Sequence, residues 1–185
     1  EEADIELELA RGLRDARLIE VAGKLAAGER LGRADGVALF ETVSALSTTG
    51  FSTVSYGPWS ALGWLVIITL MVIGGGTGST AGGIKGYRVV VLIRSGYWNL
   101  RRMMAPPNAV LEPDIWQGDR RQFLNEGTIA STSLFAFTYL GMLVVGTGIL
   151  TAFGYSLQDS LFEFTSTLST VGLSSGITAA DAPTV

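Results

Sequence analysis

Cysteine and histidine are both missing from the 185 residues. Without cysteine there is no disulfide and no thiolate metal site, and without histidine the usual metal ligand and general base are gone. Charge is scarce as well, at 16% of residues against 48% apolar, and it is unevenly placed. No Asp, Glu, Lys or Arg stands between Thr42 and Ile84, nor between Gly127 and Gln158. A soluble helix keeps a wet face; these stretches have almost none. The net charge of −4 comes largely from the acidic beginning and says little about partners. Glu1-Glu2-Ala3-Asp4 is neither basic nor apolar, so no secretory signal is read there, and the missing initiator Met suggests a piece of something longer.

What is present is a near-repeat. Leu39-Phe40-Glu41-Thr42-Val43-Ser44-Ala45-Leu46-Ser47-Thr48-Thr49-Gly50-Phe51-Ser52 returns 122 residues later as Leu161-Phe162-Glu163-Phe164-Thr165-Ser166-Thr167-Leu168-Ser169-Thr170-Val171-Gly172-Leu173-Ser174, with nine of fourteen positions identical. Each copy lies beside a long uncharged stretch. Internal symmetry of this kind in a membrane protein points to a pathway built from equivalent segments.

Along the chain, residues 1–36 read as a polar, amphipathic helical segment and 37–47 as a short apolar helix, followed by a loop ending at Gly57-Pro58. Ala61 to Ile73 is an apolar helix of roughly 20 Å, against roughly 30 Å of hydrocarbon. Crossing requires continuation into Gly74-Gly75-Gly76-Thr77-Gly78-Ser79-Thr80-Ala81-Gly82-Gly83. Six glycines there would cost about 5–6 kcal/mol relative to alanine in a regular helix, so the helix is expected to break. Unwound backbone at membrane depth is tolerated only where protein or a water-filled cavity surrounds it. A helix resumes over Lys85 to Arg94, and a polar connection carrying Arg101, Arg102, Arg120 and Arg121 follows, with turns expected at Pro106-Pro107 and Glu112-Pro113. The 26-residue uncharged run Thr128 to Phe153 is long enough to span, and its Gly141, Gly146 and Gly148 suit close helix packing. The arginines place the connection on the cytoplasmic side, so the loops at 48–53 and 170–175 face the outer half of the membrane.

A short helix followed by a Thr-rich stretch with a Gly can aim backbone carbonyls at a common axis, where they replace a cation's hydration shell. Gly accepts a positive φ, which lets consecutive carbonyls point inward. A plain helix-capping turn is the alternative for one such motif; two aligned copies favour the ion path. Glu41 and Glu163 are the remaining catalytic candidates, but their equivalent places at short-helix starts make helix N-terminal stabilisation the simpler role.

Leu46-Ser47-Thr48-Thr49-Gly50-Phe51-Ser52-Thr53, with Gly74 to Lys85 downstream, resembles the Trk/Ktr/HKT superfamily of potassium transporters, most closely the bacterial Trk-type uptake subunit. The resemblance implies an all-α membrane protein built from M1–pore helix–filter–M2 repeats around a pseudo-fourfold, potassium-channel-like pore. About one and a half repeats are represented here. Residues 37–94 would hold the pore helix, filter and broken M2 of one repeat, 95–127 the cytoplasmic connection, and 128–185 the M1, pore helix and filter of the next. It implies a filter at Thr48, Thr49, Gly50 and Phe51 and at Thr170, Val171, Gly172 and Leu173, with K+ held at Thr48, Thr49, Thr170 and Val171. It also implies a gate loop comprising Gly74, Gly75, Gly76, Thr77, Gly78, Ser79, Gly82, Gly83 and Lys85. Lys85 reads equally as a snorkelling interfacial residue. Residues 1–35 stand where an M1 helix belongs but carry too much charge to span lipid.

The implied function is potassium transport across the cell inner membrane by a multi-pass protein, with symport as a possible mode, no enzyme activity and no cofactor beyond K+ as the transported ion. Implied partners are the lipid bilayer, a second copy of the full-length subunit and a cytoplasmic nucleotide-binding regulatory ring, with no nucleic acid. The competing reading is a soluble NADP-dependent oxidoreductase, since Gly76-Thr77-Gly78-Ser79-Thr80-Ala81 fits G-x-G-x-x-A after an apolar run. That run is too long for a strand, and no acidic residue follows at ribose-binding distance. A phosphate loop is a near miss, because Ile84 separates Gly83 from Lys85.

Overall fold

The computed structural model describes residues 32–104, 114–117 and 120–177, together with Val21, Gly23, Lys24, Ala27, Gly28 and Arg30. The expectations for most of residues 1–31, the two proline turns and the chain beyond 177 lie outside the described residues. Five long helices carry the fold: α1 (Arg33–Leu46), α2 (Ala61–Ile73), α3 (Gly86–Met104), α4 (Glu126–Ala152) and α5 (Leu157–Leu168). A two-stranded antiparallel hairpin, β1 (Asp114–Gln117) with β2 (Arg120–Phe123), sits in the connection between α3 and α4. The all-α membrane architecture holds, with this hairpin as a small addition.

Capping explains the helix starts. Ser60 Oγ accepts the Gly63 N–H, Asn125 Oδ1 accepts that of Thr128, and Ser156 Oγ accepts that of Asp159. Each satisfies an amide that has no intrahelical partner. Helix α1 starts at Arg33, ahead of the expected 37, because the Asp35 carboxylate accepts the Gly32 N–H at 3.0 Å and holds Lys24 Nζ at 3.1 Å.

Helix α3 likewise outruns its expected end at Arg94 and continues to Met104. Within the expected stretch Val91 and Tyr87 pack against Leu124 and Ile129 on the α4 side, and beyond Arg94 Ser95 is buried. Arg101 and Arg102 then lie in the last turn, where positive charge opposes the helix dipole favourably. Arg88 adds a cation–π contact, 4.1 Å from the Phe135 ring centroid on α4.

Helix α4 has 27 residues, roughly 40 Å at the usual rise, and is long and apolar enough to cross a bilayer. It buries one stripe, Thr132, Ala136, Tyr139, Leu143, Gly146 and Thr147, while Leu134, Phe137, Val144 and Val145 stay exposed. Close packing on α5 is made at Gly146, where the Phe164 ring occupies the space a methyl group would need. Gly141 and Gly148 do not share this role; a methyl group at either would meet nothing within 4 Å.

The core lies between α1, α2 and α5. Phe162 is fully buried, its ring centroid 4.8 Å from that of Trp64 and 5.1 Å from that of Tyr56. Ala45, Ile67, Ile68, Met71, Val171 and Leu173 complete it. Trp64 Nε1 donates to the Tyr56 carbonyl at 3.0 Å, so the ring is fixed by a directed bond as well as by burial. This core clamps the end of the second copy of the repeat against the helix that follows the first.

Candidate ion-conducting site

Helices α1 and α5 end in the same way. The amides of Ser47, Thr48 and Thr49 donate back to the carbonyls of Val43, Ala45 and Ser44, and those of Ser169, Thr170 and Val171 donate to Thr165, Thr167 and Ser166. The backbone then turns left-handed twice. Thr48 has φ 54° and Thr170 φ 56°, and two residues on Gly50 has φ 80° and Gly172 φ 89°. Gly suits that region, but a β-branched residue rarely enters it. A non-glycine residue there costs on the order of 1–3 kcal/mol and persists only when its surroundings hold it.

The surroundings hold it from the far side. The carboxylate of Glu41, wholly buried, reaches twelve residues along the chain. Its Oε1 accepts the Thr53 N–H at 2.7 Å and the Thr53 hydroxyl at 2.9 Å, and its Oε2 accepts the Tyr56 hydroxyl. Glu163 likewise holds Ser175, the equivalent of Thr53, and takes Ser174 where Glu41 takes Tyr56. Its Oε1 accepts the Ser174 hydroxyl at 2.6 Å, the Ser175 N–H at 2.7 Å and the Ser175 hydroxyl at 3.1 Å. Burial, and then the adjoining Glu41, push the Tyr56 phenol well above its ordinary pKa, so it remains a donor.

The expected role of these glutamates, stabilising a helix N-terminus, is therefore corrected. Both lie past the first helical turn, and their oxygens are spent on the returning limb of the loop. Only the folded chain brings residues twelve apart together. One signal was available: the repeat continues at the same offset into Thr53 and Ser175, so both copies present a hydroxyl there. Tyr139 was also missed. From α4 its hydroxyl meets Ser169 Oγ at 2.5 Å, anchoring the residue just before Thr170.

The two turns meet each other and the glycine-rich segment. A methyl group built on Gly50 would collide with the Val171 carbonyl. One built on Gly82 would collide with the Ser169 carbonyl and with Thr170 Oγ1. The Gly82 N–H donates to Thr48 Oγ1 at 3.0 Å. Thus Thr48, Gly50, Ser169, Thr170, Val171 and Gly82 converge. Within the same turns Leu173 is buried and Thr49, Phe51, Thr170 and Gly172 are exposed.

The break after α2 falls where the glycines begin, at Gly74, which has φ 68°. Its exposed polar backbone is largely satisfied by the segment's own stem. Ile84, Lys85 and Gly86 donate their amides to the carbonyls of Val72, Ile73 and Gly75 at 2.8, 2.8 and 3.2 Å. The tip, Gly76, Thr77, Gly78, Ser79 and Thr80, is exposed, with Ser79 hydrogen-bonded to Gly76 and Lys85 Nζ reaching the Ser79 carbonyl at 3.2 Å. Gly74, Gly75, Gly83 and Lys85 build the stem, and Gly82 alone of the segment bonds to Thr48.

This arrangement overturns the dinucleotide reading. Residues 76–81 follow a 13-residue helix rather than a strand, and α3 begins only at Gly86. No helix N-terminus therefore opens on the turn to receive a pyrophosphate. Among the described residues no group of three or more Asp or Glu is placed to hold a metal ion.

Residues 21–185 match the TrkH family, described as cation transport proteins. Among curated relatives, an uncharacterized cation transporter of Methanocaldococcus jannaschii is 33% identical over 147 residues, covering 80% of this chain and 30% of the relative. The Trk system potassium uptake protein TrkH of Escherichia coli K12 is 30% identical over 142 residues, covering 77% of this chain and 28% of its own length. The crystal structure of the potassium transporter TrkH from Vibrio parahaemolyticus superposes with a TM-score of 0.67 at 26% identity, covering 90% of this chain and 34% of that one. The chain thus spans about a third or less of the relatives it matches.

Proposed function

The chain belongs to the TrkH family of membrane cation transporters, and on that footing we propose that it supplies two filter segments and a gate loop to a potassium-conducting pore. The observation that carries the proposal is the pair of turns with matched left-handed residues at Thr48 and Gly50 and at Thr170 and Gly172, packed against each other at Gly50 and Val171. Alternating handedness lets successive carbonyls face one side, so Thr48, Thr49, Gly50 and Phe51, with Thr170, Val171, Gly172 and Leu173, form two walls of a filter. Potassium sheds water against the carbonyls of Thr48, Thr49, Thr170 and Val171. The segment from Gly74 to Lys85 is the gate. It lies against both turns through Gly82, and its displacement opens the path beneath. The polar connection 95–127 faces the cytoplasm and offers a docking surface to a nucleotide-binding regulatory ring, and the full-length protein pairs as a dimer in the cell inner membrane. The relatives' names as potassium uptake proteins support the choice of ion.

The test is potassium uptake by cells that lack other uptake systems and express the full-length protein. Gly50→Ala and Gly172→Ala each force a side chain into the left-handed region, at about 1–2 kcal/mol. Both are expected to lower uptake and K+/Na+ preference, Gly50→Ala the more because its methyl group also meets the Val171 carbonyl. Normal uptake with unchanged preference in both variants sinks the filter assignment.

A further inference from the structure

Glu41 and Glu163 lie 122 residues apart and perform the same act in two different packing environments. Each carboxylate is buried and bonds the backbone amide and the hydroxyl of the residue twelve positions on, Thr53 or Ser175, while taking a second hydroxyl from Tyr56 or Ser174. Each turn is thereby held at two points. Its beginning is pinned by the helix-end bonds at Thr48 and Thr170, and its exit by the carboxylate. Between these points a helix serine adds one bond to each turn, Ser44 Oγ donating to the Phe51 carbonyl at 2.6 Å and the Gly172 N–H donating to Ser166 Oγ at 3.1 Å, so the carboxylate fixes the exit of a turn already braced from its helix.

We propose that Glu41 and Glu163 are positioning residues that determine ion selectivity without touching the ion. Discrimination between two monovalent cations depends on how far carbonyls can close around the smaller one. A turn whose exit is tied by three bonds to a buried anion resists that closure. Charge-assisted bonds are roughly twice as strong as neutral ones, which suits a carboxylate for the task better than an amide of the same shape. The proposal rests on the filter reading, and goes beyond it by moving selectivity to residues behind the turn.

The experiment compares Glu41→Gln, Glu163→Gln and the double variant in the full-length protein. Rubidium uptake into proteoliposomes is read against competing sodium, alongside the yield of monodisperse protein and its thermal midpoint. An amide keeps an acceptor at Oε1 but loses the charge, so each single variant is expected to lower K+/Na+ preference about tenfold, and the pair by more. A clamp that is merely structural would lower yield or thermal midpoint while the surviving protein kept wild-type preference, and that result overturns the proposal. Should the glutamine variants not fold, Thr53→Ala and Ser175→Ala each remove one hydroxyl donor and are expected to lower preference about threefold; unchanged preference in both overturns it equally. The glycine variants separate the two readings. If Gly50→Ala and Gly172→Ala destroy preference while the glutamine and alanine variants keep it, the clamp alone falls. If the glycine variants keep it too, the filter falls with it.

Discussion

Thr48 and Thr170 share a left-handed backbone, φ 54° and 56°, yet their hydroxyls meet the glycine-rich segment differently. Thr48 Oγ1 accepts the Gly82 N–H, whereas Thr170 Oγ1 occupies the space a side chain on Gly82 would need. The neighbours preceding them differ as well. Ser169 is buried and held by Tyr139, while Ser47 is exposed and bonds locally to the Val43 carbonyl and to Thr49. Phe162 is fully buried in the aromatic core, and its counterpart Phe40 is 44% exposed. Equivalent sequence therefore buys equivalent backbone but not equivalent surroundings. One consequence concerns the glycine-rich segment, which at Gly82 is bonded to one turn and packed against the other.

That asymmetry is easiest to break at Gly82. In Gly82→Ala a methyl group would overlap the Ser169 carbonyl and Thr170 Oγ1, and relieving such overpacking costs about 1–3 kcal/mol. Resting potassium flux is expected to rise by about ten- to a hundredfold with ion preference largely kept. A fall in flux would show that the segment supports the turns instead of closing beneath them.

Thr48→Val removes the oxygen that accepts the Gly82 N–H and leaves that donor unpaired, at about 1–3 kcal/mol if it stays buried. Resting flux should rise about tenfold, and Thr170→Val should raise it less. Equal responses at the two threonines would erase the distinction drawn between them.

Tyr139→Phe should have the smallest effect. Losing one hydroxyl bond to Ser169 costs about 0.5–1.5 kcal/mol, read as a drop of a few degrees in thermal midpoint with uptake changed less than about threefold. A large loss of selectivity there would give the second turn an anchor as important as its carboxylate.

Much of this was legible in the chain. The lack of charge marked the apolar helices, the six glycines marked where α2 must end, and the 122-residue offset paired the two turns. What escaped was of a different kind. Thr48 and Thr170 in a left-handed conformation run against the preference of a β-branched residue, so no local rule would place them there. The packing of α3 depended on Val91 finding Leu124 across a connection whose composition suggested only polar loop. Glu41 and Glu163 were misread because a carboxylate near a helix start has a sufficient local explanation.

The sequence alone determined the repeat, the breaks and the apolar lengths, because these follow from properties each residue carries wherever the chain goes. Only the tertiary structure decided that Gly82 would face Thr48 across 34 residues and that two carboxylates would tie down the limbs returning behind the turns. Those contacts depend on the close packing of α1, α2 and α5, which selects among many partners that composition treats as equal.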